Sequence, residues 1–238
     1  MRFLQMKWVV PIVLLAVIYT ADQIRINRPD QKYRLTVEVE TPEGPRIAAG
    51  ILSVRPNRNY GGTGSGSSVP QTSGEALLVE LSDKRNLVVL MAYGEDGSNF
   101  EDASFLPTRV IGATDRRIAF RDIKTLAGRP QVAVPEAQQP VLIALPDLTD
   151  PKSARRINGS DLEAAFGKGY RLRSFALDIV ANGYWPLDFG GALGEPVTRG
   201  IAAKLPWLNT PGGAAAALQA AGLKTAADFP PEAAFTRK

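Results

Sequence analysis

Carboxylates are the strongest candidates for chemistry in this 238-residue chain, and two of them stand close together in the stretch LPDLTDP. Asp147 and Asp150 are three residues apart there. A pair of carboxylates could hold a metal ion or divide acid/base work, with one group protonated and the other ionised. However, an aspartate just before a proline commonly forms a turn or a helix cap, and this second interpretation is favoured.

A second group of candidates lies in the stretch NGYWPLDFGG, where Tyr184 and Trp185 precede Asp188. Aromatic rings beside a carboxylate can stack on sugars, and the same residues can equally pack at the edge of a core. The sequence therefore offers weak candidates for ligand binding and none for catalysis. These candidates are Asp147, Asp150, Tyr184, Trp185 and Asp188.

The missing residue types exclude several classes of enzyme and of metal site. The chain contains no histidine and no cysteine, which excludes Ser-His-Asp and Cys-His nucleophiles, zinc sites built on these residues, and disulfides. No serine is followed three residues later by lysine, so the common Ser-Lys signature is absent as well. The stretch GGTGSGSSVP lacks the Lys-Ser/Thr pair of a phosphate-binding P-loop. We expect the protein to use no cofactor and no metal. A non-catalytic role is favoured over an enzymatic one.

The N-terminal stretch MRFLQMKWVVPIVLLAVIYTAD contains an apolar run from Trp8 to Ala21. Counted back to Phe3, the segment has 19 residues, about 29 Å of helix, which suits a short transmembrane helix. Tyr19 would occupy the third position before a cut after Ala21, which makes a poor signal-peptidase site. Residues 1–22 are therefore predicted to be a membrane anchor or an uncleaved signal in the inner membrane.

The orientation of this anchor is less well defined by the sequence. Four basic residues follow the apolar run, at positions 25, 28, 32 and 34, so the local charge does not favour a cytoplasmic N-terminus. A long domain after a first apolar segment is nevertheless commonly translocated, and we expect the body of the protein to be periplasmic. Although the net charge is +4, the basic residues form no dense stripe with aromatic residues, so no nucleic-acid partner is predicted.

The elements that must position these residues are mostly strands. In YRLTVEVETPEG, apolar and polar residues alternate from Tyr33 to Glu40, which predicts a half-buried strand with Glu38 and Glu40 on its wet face. The following TPEG is typical of a type I turn, and residues 46–54 return as a second strand. A further hairpin is predicted at 75–81 and 87–93, and a strand at 170–180.

Helices are predicted to be few and short. Ser160 and Glu163 have the spacing of a capping box, and Gly167 would end that helix. Thr210 is predicted to cap a helix over AAAALQAA. The acidic stretch 95–106 is predicted to be a loop. The expected fold is mainly β, with antiparallel sheets in a sandwich- or barrel-like arrangement, a few short helices and one N-terminal transmembrane helix.

The chain is accordingly predicted to have four parts. Residues 1–22 are the anchor, 23–32 a linker, 33–208 a β-rich globular domain, and 209–238 a loosely docked Ala/Pro-rich helical tail.

Three stretches together resemble a family of bacterial proteins that have one N-terminal hydrophobic segment, a globular body of this length and no known activity. They are YRLTVEVETPEG, the run from LPDLTDP to SDLEAAFGKGYRL, and EPVTRGIAAKLPWL. The similarity covers residues 33–208 and implies an envelope protein, without supplying a catalytic residue. The expected function is a non-catalytic binding or scaffolding domain that is anchored in the membrane and contacts an envelope protein or a glycan. The alternatives are a hydrolase with a carboxylate pair and a β-fold that carries a lipophilic ligand.

Overall fold

The computed structural model describes residues 2–55, 70–82, 84–114, 120–183, 194–224 and 228–237. Its α-helices are α1 (Arg2–Asn27), α2 (Asp102–Thr114), α3 (Leu162–Phe166), α4 (Ile201–Lys204) and α5 (Gly213–Ala220). Its strands are β1 (Gln31–Glu40), β2 (Arg46–Arg55), β3 (Gln71–Glu75), β4 (Leu77–Ser82), β5 (Arg85–Val89), β6 (Val132–Ala133), β7 (Leu142–Ala144), β8 (Arg155–Ile157), β9 (Arg171–Val180) and β10 (Thr236–Arg237).

Helix α1 precedes the first strand and does not pack on the sheets. The large apolar side chains from Val9 to Tyr19 are all more than half exposed. The helix continues through the first half of the predicted linker, and β1 begins only four residues after its end. Across the residues that the structure describes, no helix is both long enough and apolar enough to cross a membrane.

The strands form two antiparallel sheets, which confirms the β-rich prediction. One sheet has six strands in the order β10-β3-β2-β1-β9-β6, and the other has four in the order β4-β5-β7-β8. The predicted first hairpin is present, with Tyr33 opposite Leu52 and Val39 opposite Arg46. Its turn is closed by the amide of Gly44, which donates to the carbonyl of Thr41 at 2.9 Å.

The alternation in β1 places its two faces as expected. Tyr33, Val37 and Val39 are fully buried. On the opposite face Glu38 forms an ion pair with Arg173 at 3.1 Å. Glu38 and the exposed Glu40 thus lie on the solvent-facing side of the strand, as predicted from the sequence.

The two sheets face each other across a first hydrophobic core, and the outer face of the four-stranded sheet is covered by a second one. Along β5 and the residue after it, successive side chains alternate between these cores: Leu87 and Val89 lie in the first, Val88 and Leu90 in the second. All four are at most 2% exposed. Because both faces of this strand are buried, its sequence is a continuous apolar run and does not alternate with polar residues.

The C-terminal segment builds the second core, which differs from the prediction of a loosely docked tail. Helix α5 contributes Ala217 and Leu218, and Phe235 is fully buried. Strand β10 then pairs with β3. Backbone bonds tie this segment to the sheets, since the carbonyl of Phe235 accepts from the amide of Ala76 at 2.7 Å.

Helix α2 begins inside the stretch that was predicted to be an acidic loop. It contains Pro107, which has no N–H to donate to the carbonyl of Ala103 four residues earlier. That carbonyl is buried, and it instead accepts a hydrogen bond from the phenol of Tyr33 at 2.7 Å. A distant residue of β1 therefore satisfies the group that the proline leaves unpaired.

Two predicted helix caps are wrong by one or two residues. Asp161, and not Ser160, caps α3, because its carboxylate accepts from the amide of Ala164. At α5 the cap is Gly212, while the hydroxyl of Thr210 donates to the carbonyl of Trp207 at 2.8 Å. The predicted end of α3 at Gly167 is confirmed, with φ of +101°.

Candidate functional site

An open cleft lies at the turn of the β4–β5 hairpin. It has a volume of about 720 Å³. One wall is the hairpin itself, a second is the start of β2, and a third is the loop that follows β7. We call it the hairpin cleft, and its lining includes Arg46, Glu80, Ser82, Lys84, Asn86 and Asp147.

Buried hydrogen bonds hold the loop after β7 against the hairpin. Asn86 is 6% exposed, and its side-chain amide donates to the carbonyl of Leu145 at 3.0 Å. The backbone of Asn86 accepts from the amide of Leu145 at 2.9 Å. From the other side, the indole N–H of Trp207 donates to the carbonyl of Leu148 at 2.9 Å. The cleft is therefore preformed on a rigid sheet edge.

The cleft carries charges of both signs. Arg46 and Lys84 contribute cations, and Glu80 and Asp147 contribute carboxylates. Glu80 also forms an exposed ion pair with Lys204 at 2.9 Å, and such exposed pairs stabilise a fold only weakly. This mixture suits a polar partner that carries both charges more than a simple anion or cation.

Lys84 has an uncommon backbone conformation for its residue type. Its φ is +56°, in the left-handed region that costs an ordinary L-residue about 1–2 kcal/mol. It is also the only described residue other than glycine with a positive φ. Strained residues of this kind often occur at functional sites, which makes the turn of this hairpin a reasonable place for binding.

Asp147 is held as an ionised carboxylate. The hydroxyl of Thr149 donates to it at 2.7 Å, and the amide of Thr149 at 2.8 Å. These bonds lower the pKa of Asp147, and the nearby charge of Lys84 lowers it slightly further. A general acid or base near neutral pH needs a raised carboxyl pKa, so this environment favours charge pairing over proton transfer.

Of the candidate residues from the sequence, the structure describes Asp147 and Asp150, and these two have different roles. Asp147 lines the hairpin cleft. Asp150 caps the 3₁₀ turn Pro151–Ser153 and accepts from the amide of Lys152 at 2.9 Å, in agreement with the favoured structural interpretation. Tyr184, Trp185 and Asp188 lie outside the described residues, as does most of the glycine-rich stretch. No cluster of acidic residues in the described ranges is arranged to hold a metal ion.

Sequence reasoning missed the cations of the cleft. Arg46, Lys84 and Asp147 are about 40 and 60 residues apart along the chain, and only the sandwich brings them to one edge. A weak local signal existed at Lys84, since the five-residue polar stretch between two apolar strands predicts a turn.

The cavity that the described residues leave between the sheets is small. It is lined by apolar residues that include Leu35, Leu52 and Val89, and it has a volume of only about 10 Å³.

Comparisons with known proteins add no function: no family model matches the chain, no curated protein is similar to it, and no solved structure matches its fold.

Proposed function

We propose that this protein is a membrane-anchored binding domain of the bacterial envelope, with α1 as the anchor and the hairpin cleft as the binding surface. The observation that carries the proposal is the apolar surface of α1. Its exposed apolar residues occupy consecutive positions, so they face every side of the helix. A helix that is apolar all round needs either a protein core or a lipid environment around it, and the sheets do not supply the core.

Two further features of α1 support a lipid environment. The hydroxyl of Thr20 donates to the carbonyl of Ala16 at 2.7 Å, which satisfies the polar group inside the helix itself. The apolar sequence also extends back to Phe3, and Lys7 has a side chain long enough to reach the interface. The periplasmic placement of the body follows from the common fate of a long domain after a first apolar segment.

The hairpin cleft supports binding of a polar protein segment. The cleft is open and preformed, and its cations and carboxylates match a chain that carries both charges. The lowered pKa of Asp147 gives the hydrolase alternative no support. The 10 Å³ cavity between the sheets likewise gives none to a lipophilic cargo, because ligand pockets usually measure about 300–1,000 Å³.

Membrane attachment can be tested by fractionating cells that make the full chain. We expect the protein to pellet with membranes and to stay there in alkaline carbonate, which releases peripheral proteins. Replacing both Leu14 and Leu15 by arginine should move it to the supernatant, because each central charge costs about 2.5–3.5 kcal/mol on insertion. The matched variant with alanine at both positions should remain bound. Release of the unmodified chain by carbonate would exclude an inserted anchor.

The orientation of the chain in the membrane can be measured by thiol labelling. The chain contains no cysteine, so an introduced thiol is labelled without background from the protein itself. Lys168 is exposed in the turn after α3, and Lys168→Cys provides one reactive thiol there. We expect a membrane-impermeant maleimide to label this thiol once the outer membrane is permeabilised. Labelling only after the inner membrane is broken would place the body in the cytoplasm.

The binding role of the hairpin cleft requires a separate experiment in intact cells. A photo-crosslinking residue at Lys84 should give a defined adduct with an envelope protein, and the same residue at exposed Lys168 should not. Asp147→Lys should abolish the adduct at position 84, because it inverts a charge in the cleft. Equal crosslinking at both positions would show that the cleft has no special role.

A further inference from the structure

A second cleft lies where the C-terminal segment meets β3 and the start of α2. Its volume is about 410 Å³, within the usual range for small-molecule sites. Phe229 and Pro230 form an apolar part of its wall, and the guanidinium of Arg237 lies against it. We call it the Arg237 cleft. It is separate from the hairpin cleft and shares no lining residue with it.

The guanidinium of Arg237 is held firmly by backbone carbonyls. It donates to the carbonyl oxygens of Ala233 at 2.9 Å, Phe100 at 2.8 Å and Met91 at 2.5 Å. Its central carbon also lies 5.3 Å from the ring centre of Phe100 and 5.6 Å from that of Phe229. A guanidinium has five N–H donors, so two remain for another acceptor.

The positive charge of Arg237 is not ion-paired with a carboxylate in the described part of the chain, and Glu101 is another lining residue of the same cleft. The ion pairs formed by the described residues do not include it. Burial lowers the pKa of Arg237, and the opposing influences come only from the phenols of Tyr33 and Tyr93. Arg237 is partly buried, so leaving its charge without an ion-pair partner is costly, and a bound anion would offset that cost.

Two further polar side chains of the cleft, Ser104 and Thr72, have no donor to spare. The hydroxyl of Ser104 donates to the carbonyl of Pro70 at 2.8 Å. Thr72 lies 2.7 Å from the same hydroxyl, and its own hydrogen is used in that contact. Arg237 is the cation among the lining residues and favours an anionic group, while Phe229 and Pro230 offer a surface for an apolar body.

We propose that the Arg237 cleft binds a small organic carboxylate with an apolar body. The carboxylate accepts from the free N–H groups of Arg237, and the apolar part lies against Phe229 and Pro230. Binding at the Arg237 cleft requires neither membrane attachment nor the hairpin cleft. The Arg237 cleft would hold a small molecule, whereas the hairpin cleft would bind a protein segment.

Two exposed residues of the cleft allow a test that leaves Arg237 in place. Glu101 and Gln71 both line the cleft and are exposed. Glu101→Gln removes a negative charge from the cleft, and Gln71→Glu adds one. A carboxylate ligand should respond to these changes in opposite directions, and a neutral ligand should respond to neither.

The probe is 3-phenylpropanoate, with 3-phenylpropanamide as its neutral counterpart, and the full chain is kept in a neutral detergent. We expect the carboxylate to bind at least tenfold more tightly than the amide by isothermal titration. Glu101→Gln should tighten binding of the carboxylate about threefold, and Gln71→Glu should weaken it about threefold. Chemical shift changes should centre on the Nε–H of Arg237 and the ring of Phe229.

Three results would overturn the proposal. Equal affinity for the carboxylate and the amide would show that Arg237 does not recognise charge. The same would follow if the two charge variants left the affinity for the carboxylate unchanged. Absence of binding up to 10 mM probe, roughly −2.7 kcal/mol, would show that the carbonyls alone satisfy Arg237.

Discussion

The carbonyl oxygen of Ala103 depends on a single side chain. Pro107 cannot donate to it, and the phenol of Tyr33 takes that place at 2.7 Å. Burial raises the pKa of Tyr33 well above its ordinary value, so the phenol stays protonated and can donate throughout the physiological pH range. This bond joins β1 to α2 and thereby fixes one side of the first core.

Replacing Tyr33 by phenylalanine should lower the free energy of unfolding by about 1–3 kcal/mol, because it leaves a buried carbonyl unpaired. Pro107→Ala supplies the missing N–H, so the same Tyr33→Phe change should cost about 1 kcal/mol less in a Pro107→Ala background. Urea unfolding of the four proteins of this cycle measures the difference. An identical cost in both backgrounds would mean that the Ala103 carbonyl is not what the phenol stabilises.

At the same scale, the sequence predicted the roles of some residues and missed those of others. Glu38 was predicted to lie on the wet face of β1 and Asp150 to form a turn or cap, and the burial pattern of β1 and the cap of the turn at Pro151 agree with this. The cations of the hairpin cleft could not be predicted, since Arg46 and Lys84 acquire a common surface only through packing of two sheets. Arg237 gave no signal either, because its burial depends on how the C-terminal segment docks.

At the scale of elements, the strands were predictable and α2 was not. Alternation with period two requires no tertiary information, and β1, β2 and β9 lie where the sequence placed them. Helix α2 contains Pro107, which argues locally against a helix, although Asp102 in its first turn is favourable. The bond from Tyr33, 74 residues away from Pro107 along the chain, compensates for the proline. Local reasoning has no access to such a partner.

Replacing two helical glycines by alanine should change the free energy of unfolding in opposite directions. A Cβ at Gly213, in the first turn of α5, would lie 2.1 Å from the carbonyl oxygen of Trp207. A Cβ at Gly112 in α2 would meet no atom within 4 Å. Gly213→Ala should therefore destabilise the protein by about 1–3 kcal/mol, because α5 must move away from the second core.

Gly112→Ala serves as the matched control and should stabilise the protein by about 0.5–1 kcal/mol, since alanine loses less conformational freedom in a helix. Urea midpoints with unchanged slopes give both values. Changes of the same sign would contradict the packing of α5 against the turn at Trp207.

At the scale of the whole molecule, three layers share one central sheet. The six-stranded sheet covers one face of the four-stranded sheet, and α5 with the C-terminal segment covers the other. Residues 209–238 were predicted to be a loosely docked tail, because Ala-rich segments carry little apolar pattern. Small side chains such as Ala214, Ala217 and Ala234 are nevertheless fully buried here, since they allow close approach to the sheet.

The two ends of the chain should therefore differ in what they contribute to stability. The large apolar side chains of α1 from Val9 to Tyr19 are exposed, and the two cores formed by the described residues include none from 2–28, so a variant lacking these residues should keep both cores. Its Tm should lie within about 2 °C of that of the full chain, a shift that corresponds to less than about 1 kcal/mol. A variant lacking residues 229–238 loses Phe235 and leaves the buried amides of Ala76 and Met91 without their acceptors.

Each unpaired buried amide costs about 1–3 kcal/mol, and loss of a buried phenylalanine costs about 3–5 kcal/mol. Their sum approaches or exceeds the usual stability of a domain, about 5–15 kcal/mol, so the C-terminal deletion should show no cooperative thermal transition. Calorimetry of both variants and the full chain in the same neutral detergent measures this. A cooperative transition after the C-terminal deletion would mean that the two sheets fold without the third layer. A large loss of Tm after the N-terminal deletion would instead mean that α1 packs on the body, and the apolar surface of α1 would then no longer require lipid.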